Sequence, residues 1–486
     1  MSRKNSNHTA LKVILILLIL CMIAATALLI KLCLDMTNYT PDTTAGESIT
    51  LPTQETEEPT EAPPETTLPE PEHVVSTATI GSMGDILMHM PVVNTGLQTD
   101  GSYDFESIFR YLTPVTSQLD YAAANLETTL CGTSNGFPYQ GYPHFNCPDE
   151  IVDGAVDAGF DMLLTANNHS YDTTLVGYKR TLEVARGAGL DTLGTYTSAD
   201  ETKWFIKEIN GINIGMLCYT YATGAANGRP QLNGNAAISE SGLCNYFLYE
   251  NLGSFYSEVE TYLTEMEQAG AEATMMFIHW GVEYQLTAND QQKAIAQNLC
   301  DLGIDVIVGG HPHVVQPVEL LTSKKDADHK TVCLYSMGNA VSNQRLGNIS
   351  YIKTAHTEDG VLFTVTFEKY SDGTVYLAEA NIIPTWVNMH NNASGKREYN
   401  ILPLDNSRAE EWKELFEIGD NTLTSAKKSY ERTMKIVGEG LAQSQEYLAQ
   451  QKQAREEYYY DLAFYPEKFA TEATEAPTEA TTAEAA

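Results

Sequence analysis

The stretch VGGHPHVVQPVE, Val308 to Glu319, sets His311 and His313 on either side of Pro312, directly behind Gly309 and Gly310. Imidazoles two residues apart in an extended turn can address one point, and neutral imidazole is the commonest side-chain metal ligand. The same stretch would equally suit a surface turn in which the glycines supply backbone freedom and the histidines are solvated. Four other runs share its form, each an apolar segment ending in polar residues. STATIGSMGD delivers Asp85, and LDYAAANLE delivers Asn125 and Glu127. GFDMLLTANNHSYD delivers Asn167, Asn168, His169 and Asp172, and AEATMMFIHWGVEY delivers His279 and Glu283. Taken singly, Asp85 reads as a turn residue, the asparagines as helix caps and His279 as a satisfied core histidine. Taken together, five runs that end in carboxylate, carboxamide and imidazole form a metal-ligand set. Such hard-to-borderline donors suit two divalent ions such as Mn, Fe or Zn better than a thiolate zinc.

The elements that must position these residues are short β-rich runs alternating with helical patterns, which is the mark of an α/β architecture. Helical patterns such as PDEIVDGAVDAGF and NDQQKAIAQNLCDLGI precede the NNH and GGHPH runs. In α/β sheets ligands bind at the carboxyl ends of strands, which is where all five runs place their polar residues.

Six segments in fixed order, GDILMH, NLETTL, ANNHSYD, HWGVEYQ, GGHPHVVQPVE and YSMGNAV, closely resemble the signature segments of the CapA family. Its members are capsule-synthesis proteins associated with poly-γ-glutamate and related to calcineurin-like metallophosphatases. The resemblance covers about residues 76 to 390. It implies an α/β fold of the metallo-dependent phosphatase type, a four-layer α-β-β-α sandwich with a dinuclear metal centre at the strand ends. Asp85 matches the first-motif ligand, and Glu127 stands where an aspartate usually bridges both ions. Asn168 matches the ligand of the Asn-His motif, His169 the catalytic histidine, with Asp172 counted beside it, and His279, His311 and His313 the remaining ligands. The chain departs from the pattern at Gly84-Asp85-Ile86-Leu87, which has no histidine two residues after the aspartate. His89, four along, is the alternative. Gln316 and Glu319 suit either the centre or the turn, and Asn339 suits the rim of the site.

The ends of the 486-residue chain are not globular in composition. Val13 to Ile30 is an apolar run long enough to cross a bilayer, with Arg3, Lys4 and Lys12 before it and Lys31 after. That arrangement predicts a cytoplasmic N-terminus over 1–12 and an uncleaved transmembrane anchor over 13–34, with the remainder outside the cell. Residues 35–75, rich in Pro, Thr and Glu, read as a disordered spacer. Residues 76–405 form the expected catalytic domain, 406–469 a helical appendage and 470–486 a disordered acidic tail. The formal charge of −35 excludes nucleic acid as a natural partner. With no CxxC pair, zinc ribbons are excluded too. The expected role is metal-dependent hydrolysis or transfer on a polyanionic γ-glutamyl polymer or another cell-wall substrate, with capsule-synthesis membrane proteins as partners. The alternatives are a cell-surface phosphatase or phosphodiesterase, and a non-enzymatic export or assembly component.

Overall fold

Apolar runs, among them the fully buried Tyr121–Leu126, Met162–Leu164 and Val306–Gly310, build the two sheets that carry the site. In the computed structural model, which describes residues 70–469, the strands follow in order: β1 (Val74–Ile86), β2 (Tyr121–Leu126), β3 (Met162–Leu164), β4 (Asp191–Leu193), β5 (Phe205–Ile209) and β6 (Ile212–Tyr221). Next come a small hairpin of β7 (Gly224–Ala226) and β8 (Arg229–Gln231), then β9 (Tyr246–Phe247), β10 (Ala273–His279), β11 (Val306–Gly310) and β12 (Val318–Thr322). The last are β13 (Lys330–Leu334), β14 (Asn339–Val341), β15 (Asp359–Tyr370), β16 (Val375–Asn391) and β17 (Arg397–Pro403). The expected N-terminal segment, the membrane anchor, most of the spacer and the acidic tail lie outside the described residues. Among the described residues no helix is long and apolar enough to cross a membrane.

The first sheet has the order β17-β16-β15-β1-β2-β3-β4, with β14 beside β1. The second runs β12-β13-β11-β10-β6-β5, with β9 beside β6. The strands that end in site residues pair in parallel: β1 with β2, β2 with β3, and β10 with both β6 and β11. Their carboxyl ends therefore emerge together, sheet by sheet. Parallel strands covered on both faces read as continuous apolar runs rather than alternating ones, which is the pattern of TMMFI and DVIV.

Three apolar clusters define the layers. Ile80, Tyr121 and Met162 of the first sheet meet Met216, Phe277 and Val306 of the second, forming the core between them. The outer face of the first sheet packs on helices α1 (Glu150–Asp157) and α2 (Thr174–Gly187) through Ile151, Val152 and Ala185. The outer face of the second packs on α3 (Leu252–Gln268) and α4 (Asp290–Asp301) through Phe255, Val259, Ile295 and Leu299. The result is a mixed α/β sandwich with helices on both outer faces. Asn289 and Gln292 close a reciprocal capping box at the start of α4, which fixes where that helix begins.

The helix-permissive segment after residue 405 folds into α5, a 45-residue helix from Asp420 to Phe464. It places Val437, Leu441 and Leu448 in the inter-sheet core. Gly440 lies so close to β12 that a Cβ there would overlap the Val318 carbonyl oxygen. Near its start, Arg432 and Ser429 grip the buried carboxylate of Asp359, Arg432 through Nε at 2.8 Å and Nη2 at 2.6 Å, Ser429 through Oγ at 2.6 Å.

Candidate metal centre

The strand ends converge on two buried ligand groups that share one carboxylate. Glu127, His279 and His311 form the first; Asp85, Glu127 and His313 form the second. In each group the donor atoms all lie within 4.8 Å of one another. Asp85 closes β1, where Asn125 of β2 pairs with it and donates from Nδ2 to Oδ1 at 2.7 Å. His279 closes β10 in register with Gly310 of β11. Glycine at 310 lets the second sheet approach the first: a Cβ there would sit 3.4 Å from Asp85 Oδ1 and 3.5 Å from His279 Nδ1. Glycine at 309 is demanded by sterics, because a Cβ would overlap the Tyr335 carbonyl. His311 and His313 both hold positive φ, 96° and 56°. That strained backbone is uncommon for side-chain-bearing residues and gathers at functional sites.

Asn168 Oδ1 lies 2.7 Å from His279 Nε2, and Glu127 Oε1 lies 3.6 Å from the same nitrogen. Asn168 therefore joins the first group. Two buried atoms in the centre have no protein partner, Glu127 Oε1 and His311 Nδ1. A buried lone pair without a hydrogen bond costs free energy, and a cation held between these donors removes that cost. The donor set fits metal ions: carboxylate, carboxamide and imidazole, all buried.

At His279 and His311 the electrostatics agree. Burial pushes His279 down to about 3 and His311 well below its usual range, so both imidazoles are neutral, as a metal ligand must be. Burial, then the charge of Asp85, push Glu127 well above the ordinary carboxyl range. Burial opposes the charged forms of Asp85 and His313. Their mutual bond, His313 Nδ1 to Asp85 Oδ2 at 3.0 Å, outweighs it, holding Asp85 low and His313 high.

His169 stands outside both ligand groups. Its Nδ1 meets Asp172 Oδ2 at 2.7 Å. Asp172 also accepts from the Phe145 amide at 2.7 Å and from Asn233 and Asn235 Nδ2 at 3.2 Å each. The Phe145 ring stands edge-on to the imidazole at 4.7 Å. A carboxylate so fixed holds the proton on Nδ1 and leaves Nε2 for proton exchange.

The structure thus brings together all eight residues expected from the sequence, six as ligand candidates and two as a dyad beside them. The position two after Asp85 is the buried Leu87, and His89 belongs to neither ligand group. Its Nδ1 instead accepts from the Asn343 amide at 3.4 Å, and its ring meets Phe145 edge-on. Gln316 holds the turn: its Nε2 donates to the carbonyl of Gln285 at 2.8 Å, and its Oε1 accepts from Gln292 at 2.8 Å. Glu319 accepts from Tyr335 OH at 2.8 Å, and Asn339 donates to the His313 carbonyl at 3.3 Å. Asn233 and Asn235, in the loop after the β7–β8 hairpin, were not readable from the sequence. Only the turn-forming tripeptide Asn-Gly-Asn marks them.

Residues 79–344 match the family model described as bacterial capsule synthesis protein PGA_cap, a span that contains every ligand candidate and the His169–Asp172 pair. The PGA biosynthesis protein CapA of Bacillus subtilis (strain 168) is 30% identical over 266 residues, covering 54% of this chain and 62% of that protein. The capsule biosynthesis protein CapA of Bacillus anthracis is 28% identical over 275 residues, covering 55% of this chain and 60% of that protein. The chain therefore matches less than two thirds of the length of these relatives. Among solved structures, the sulfate thiohydrolase SoxB of Thermus thermophilus aligns with a TM-score of 0.36 at 12% identity, over 70% of this chain and 59% of that chain. The purple acid phosphatase PPD1 of yellow lupin (Lupinus luteus) aligns at 0.27, also 12% identical, over 63% and 53%.

Proposed function

The chain belongs to the bacterial capsule synthesis protein family PGA_cap, and from that premise we propose a metal-dependent hydrolase or transferase that acts on γ-glutamyl amide bonds of a capsule polymer. The observation that carries this reading is the pair of buried ligand groups joined by Glu127, beside a histidine oriented by Asp172. Two divalent ions of the Mn, Fe or Zn type, when bound, supply Lewis-acid activation of the electrophile and of the attacking water. Asp85 and His313 would hold one, Asn168, His279 and His311 the other, with Glu127 placed between the two groups.

The remaining work falls to the chain's own groups. His169, with Nδ1–H committed to Asp172, gives a proton from Nε2 to the leaving amine as the C–N bond breaks. The proton lost by the attacking water or acceptor amine restores the imidazole. The apolar run Val13–Ile30 anchors the protein in the membrane, with the catalytic body outside the cell, where exported polymer is met and membrane-bound capsule enzymes are partners.

The test is direct. Full-length protein in detergent, loaded with Mn²⁺, is incubated with poly-γ-glutamate and the polymer length followed on gels, with bis-p-nitrophenyl phosphate in parallel. Shortening or end-transfer of the polymer, lost in Glu127→Gln, is the expected result. Phosphodiester turnover with an unchanged polymer would replace this reading with that of a cell-surface phosphodiesterase.

A further inference from the structure

The rim of the centre is built from rings, neutral polar groups and the exposed carboxylate of Glu283, with little positive charge. Between Leu87 and Phe105, Thr128 and Asp149, Thr165 and Tyr178, and Trp280 and Gln292, the chain carries no Lys or Arg. In the loop after β14, Arg345 is buried against Glu358 at 2.7 Å, and Lys353 bonds the Ser350 carbonyl. No row of cations therefore receives a polyanion here.

What the rim does present is a stair of rings leading outward from a ligand candidate. The Tyr284 ring lies 6.2 Å from that of His313, and the Tyr351 ring lies 5.8 Å from Tyr284, tilted by 47°. The stair runs from a buried imidazole through a half-buried ring to one that is 53% exposed. Tyr284 is held in place at a positive φ of 65°, a conformation that bulky residues avoid. Its amide donates to the Pro312 carbonyl at 2.8 Å, and its hydroxyl accepts from Gln344 Nε2 at 3.1 Å. Strained positions of this kind cluster at functional sites. Beside the rings, Asn343 turns Oδ1 inward to the Tyr399 hydroxyl at 2.7 Å and to Asn348 Nδ2 at 2.9 Å, leaving its own Nδ2 as a donor.

We propose that Tyr284 and Tyr351 form a subsite for the pyranose rings of an uncharged glycan, the saccharide part of an acceptor whose amine, carried elsewhere on the molecule, reaches the metal centre alongside the polymer. Ring faces with negative quadrupoles attract the C–H face of a sugar, and carboxamides both donate and accept, as hydroxyl recognition requires. Two rings tilted by 47° do not make the parallel slot that a flat base fills. The assignment of this glycan as acceptor rests on the transferase reading above; the subsite itself does not.

The experiment uses full-length, Mn²⁺-loaded protein in detergent, titrated calorimetrically with chitotetraose and, separately, with tetra-γ-glutamate. Chitotetraose should bind, Tyr351→Phe should bind within about twofold of the parent, and Tyr351→Ala about tenfold more weakly, the scale of one lost ring contact. Thermal melting and metal content should be the same in all three proteins. Absence of chitotetraose binding overturns the subsite, as does binding indifferent to Tyr351→Ala. So does tighter, Tyr351-dependent binding of the glutamate oligomer, which would make the stair a polymer track. Poly-γ-glutamate turnover on the same preparations separates the two ideas. Turnover without saccharide binding removes the subsite and keeps the proposed function; saccharide binding without turnover does the reverse.

Discussion

His279 and His169 are both buried histidines beside a buried carboxylate, yet their partners divide their roles. His279 faces Glu127 and Asn168, whereas His169 spends Nδ1 on Asp172. His279→Ala should lose metal and activity together, measured by metal analysis and turnover on one preparation. His169→Ala should keep its metal while turnover falls by on the order of 10²- to 10⁴-fold, the usual worth of a general acid, and by less for substrates with better leaving groups. Equal loss of metal in the two variants would reverse the assignment. The eight candidate residues lie at the ends of apolar runs, so local pattern pointed to their neighbourhoods, and the family resemblance picked them out from the other polar residues there. Asn233 and Asn235 reach Asp172 from 61 and 63 residues away. Their place depends on the path of a loop, which no local pattern encodes. Nor does His89 announce that its ring meets Phe145 edge-on and accepts from the Asn343 amide.

At the level of elements, the parallel strands were legible and α5 was only half so. Its buried stripe is Ala426, Ser429, Thr433, Val437, Leu441, Ser444 and Leu448, spaced three and four apart as one helix face demands. Four of the seven are Ala, Ser or Thr, so the hydrophobic period is muted and the helix reads as an appendage. Small residues are there because the helix lies directly on backbone. Gly440→Ala should therefore destabilise, by about 1–3 kcal/mol or more from overpacking, although the same change in an exposed helix stabilises by about 1 kcal/mol. Chemical denaturation reads the sign, and a gain would show that α5 does not sit on β12 as described. The second clamp is electrostatic. Burial pushes Asp359 up to about 6 even though Arg432 and Ser429 oppose it. Removing the guanidinium in Arg432→Ala leaves a buried carboxylate nearly alone, with a loss of about 3–5 kcal/mol at neutral pH. The folded-state value lies above the unfolded one, so protonation favours the folded form and stability returns as pH falls. His356, 3.9 Å from the same carboxylate, is held down by burial and by the charge of Arg432; without Arg432 only burial still opposes its proton, so it too narrows the deficit as pH falls. The deficit of Arg432→Ala should thus shrink between pH 7 and pH 5. A deficit that stays constant or grows on acidification would contradict the buried-charge account.

For the molecule as a whole, the family match and the folding unit have different limits. The match ends at residue 344, and the site is complete before that point. Yet β15, β16 and β17 complete the first sheet, and α5 supplies Val437, Leu441 and Leu448 to the core between the sheets. Without α5 those core neighbours, among them Val318 and Phe367, would face water, at about 25 cal/mol for each Å² of apolar surface exposed. The bidentate partner of Asp359 would go with it. Domains keep only about 5–15 kcal/mol of net stability, so a chain stopped at Leu404 should not hold the sheets together. Expressed without residues 405–486, the protein should aggregate or melt well below the full chain and fail to retain metal, although every ligand candidate is present. A chain stopped at Phe469 should melt with the full-length protein and bind the same metal. Circular dichroism melts and metal analysis on the two truncations decide the matter. A folded, metal-replete protein ending at Leu404 would show that α5 is a dispensable strap, and that the two sheets close around the centre by themselves.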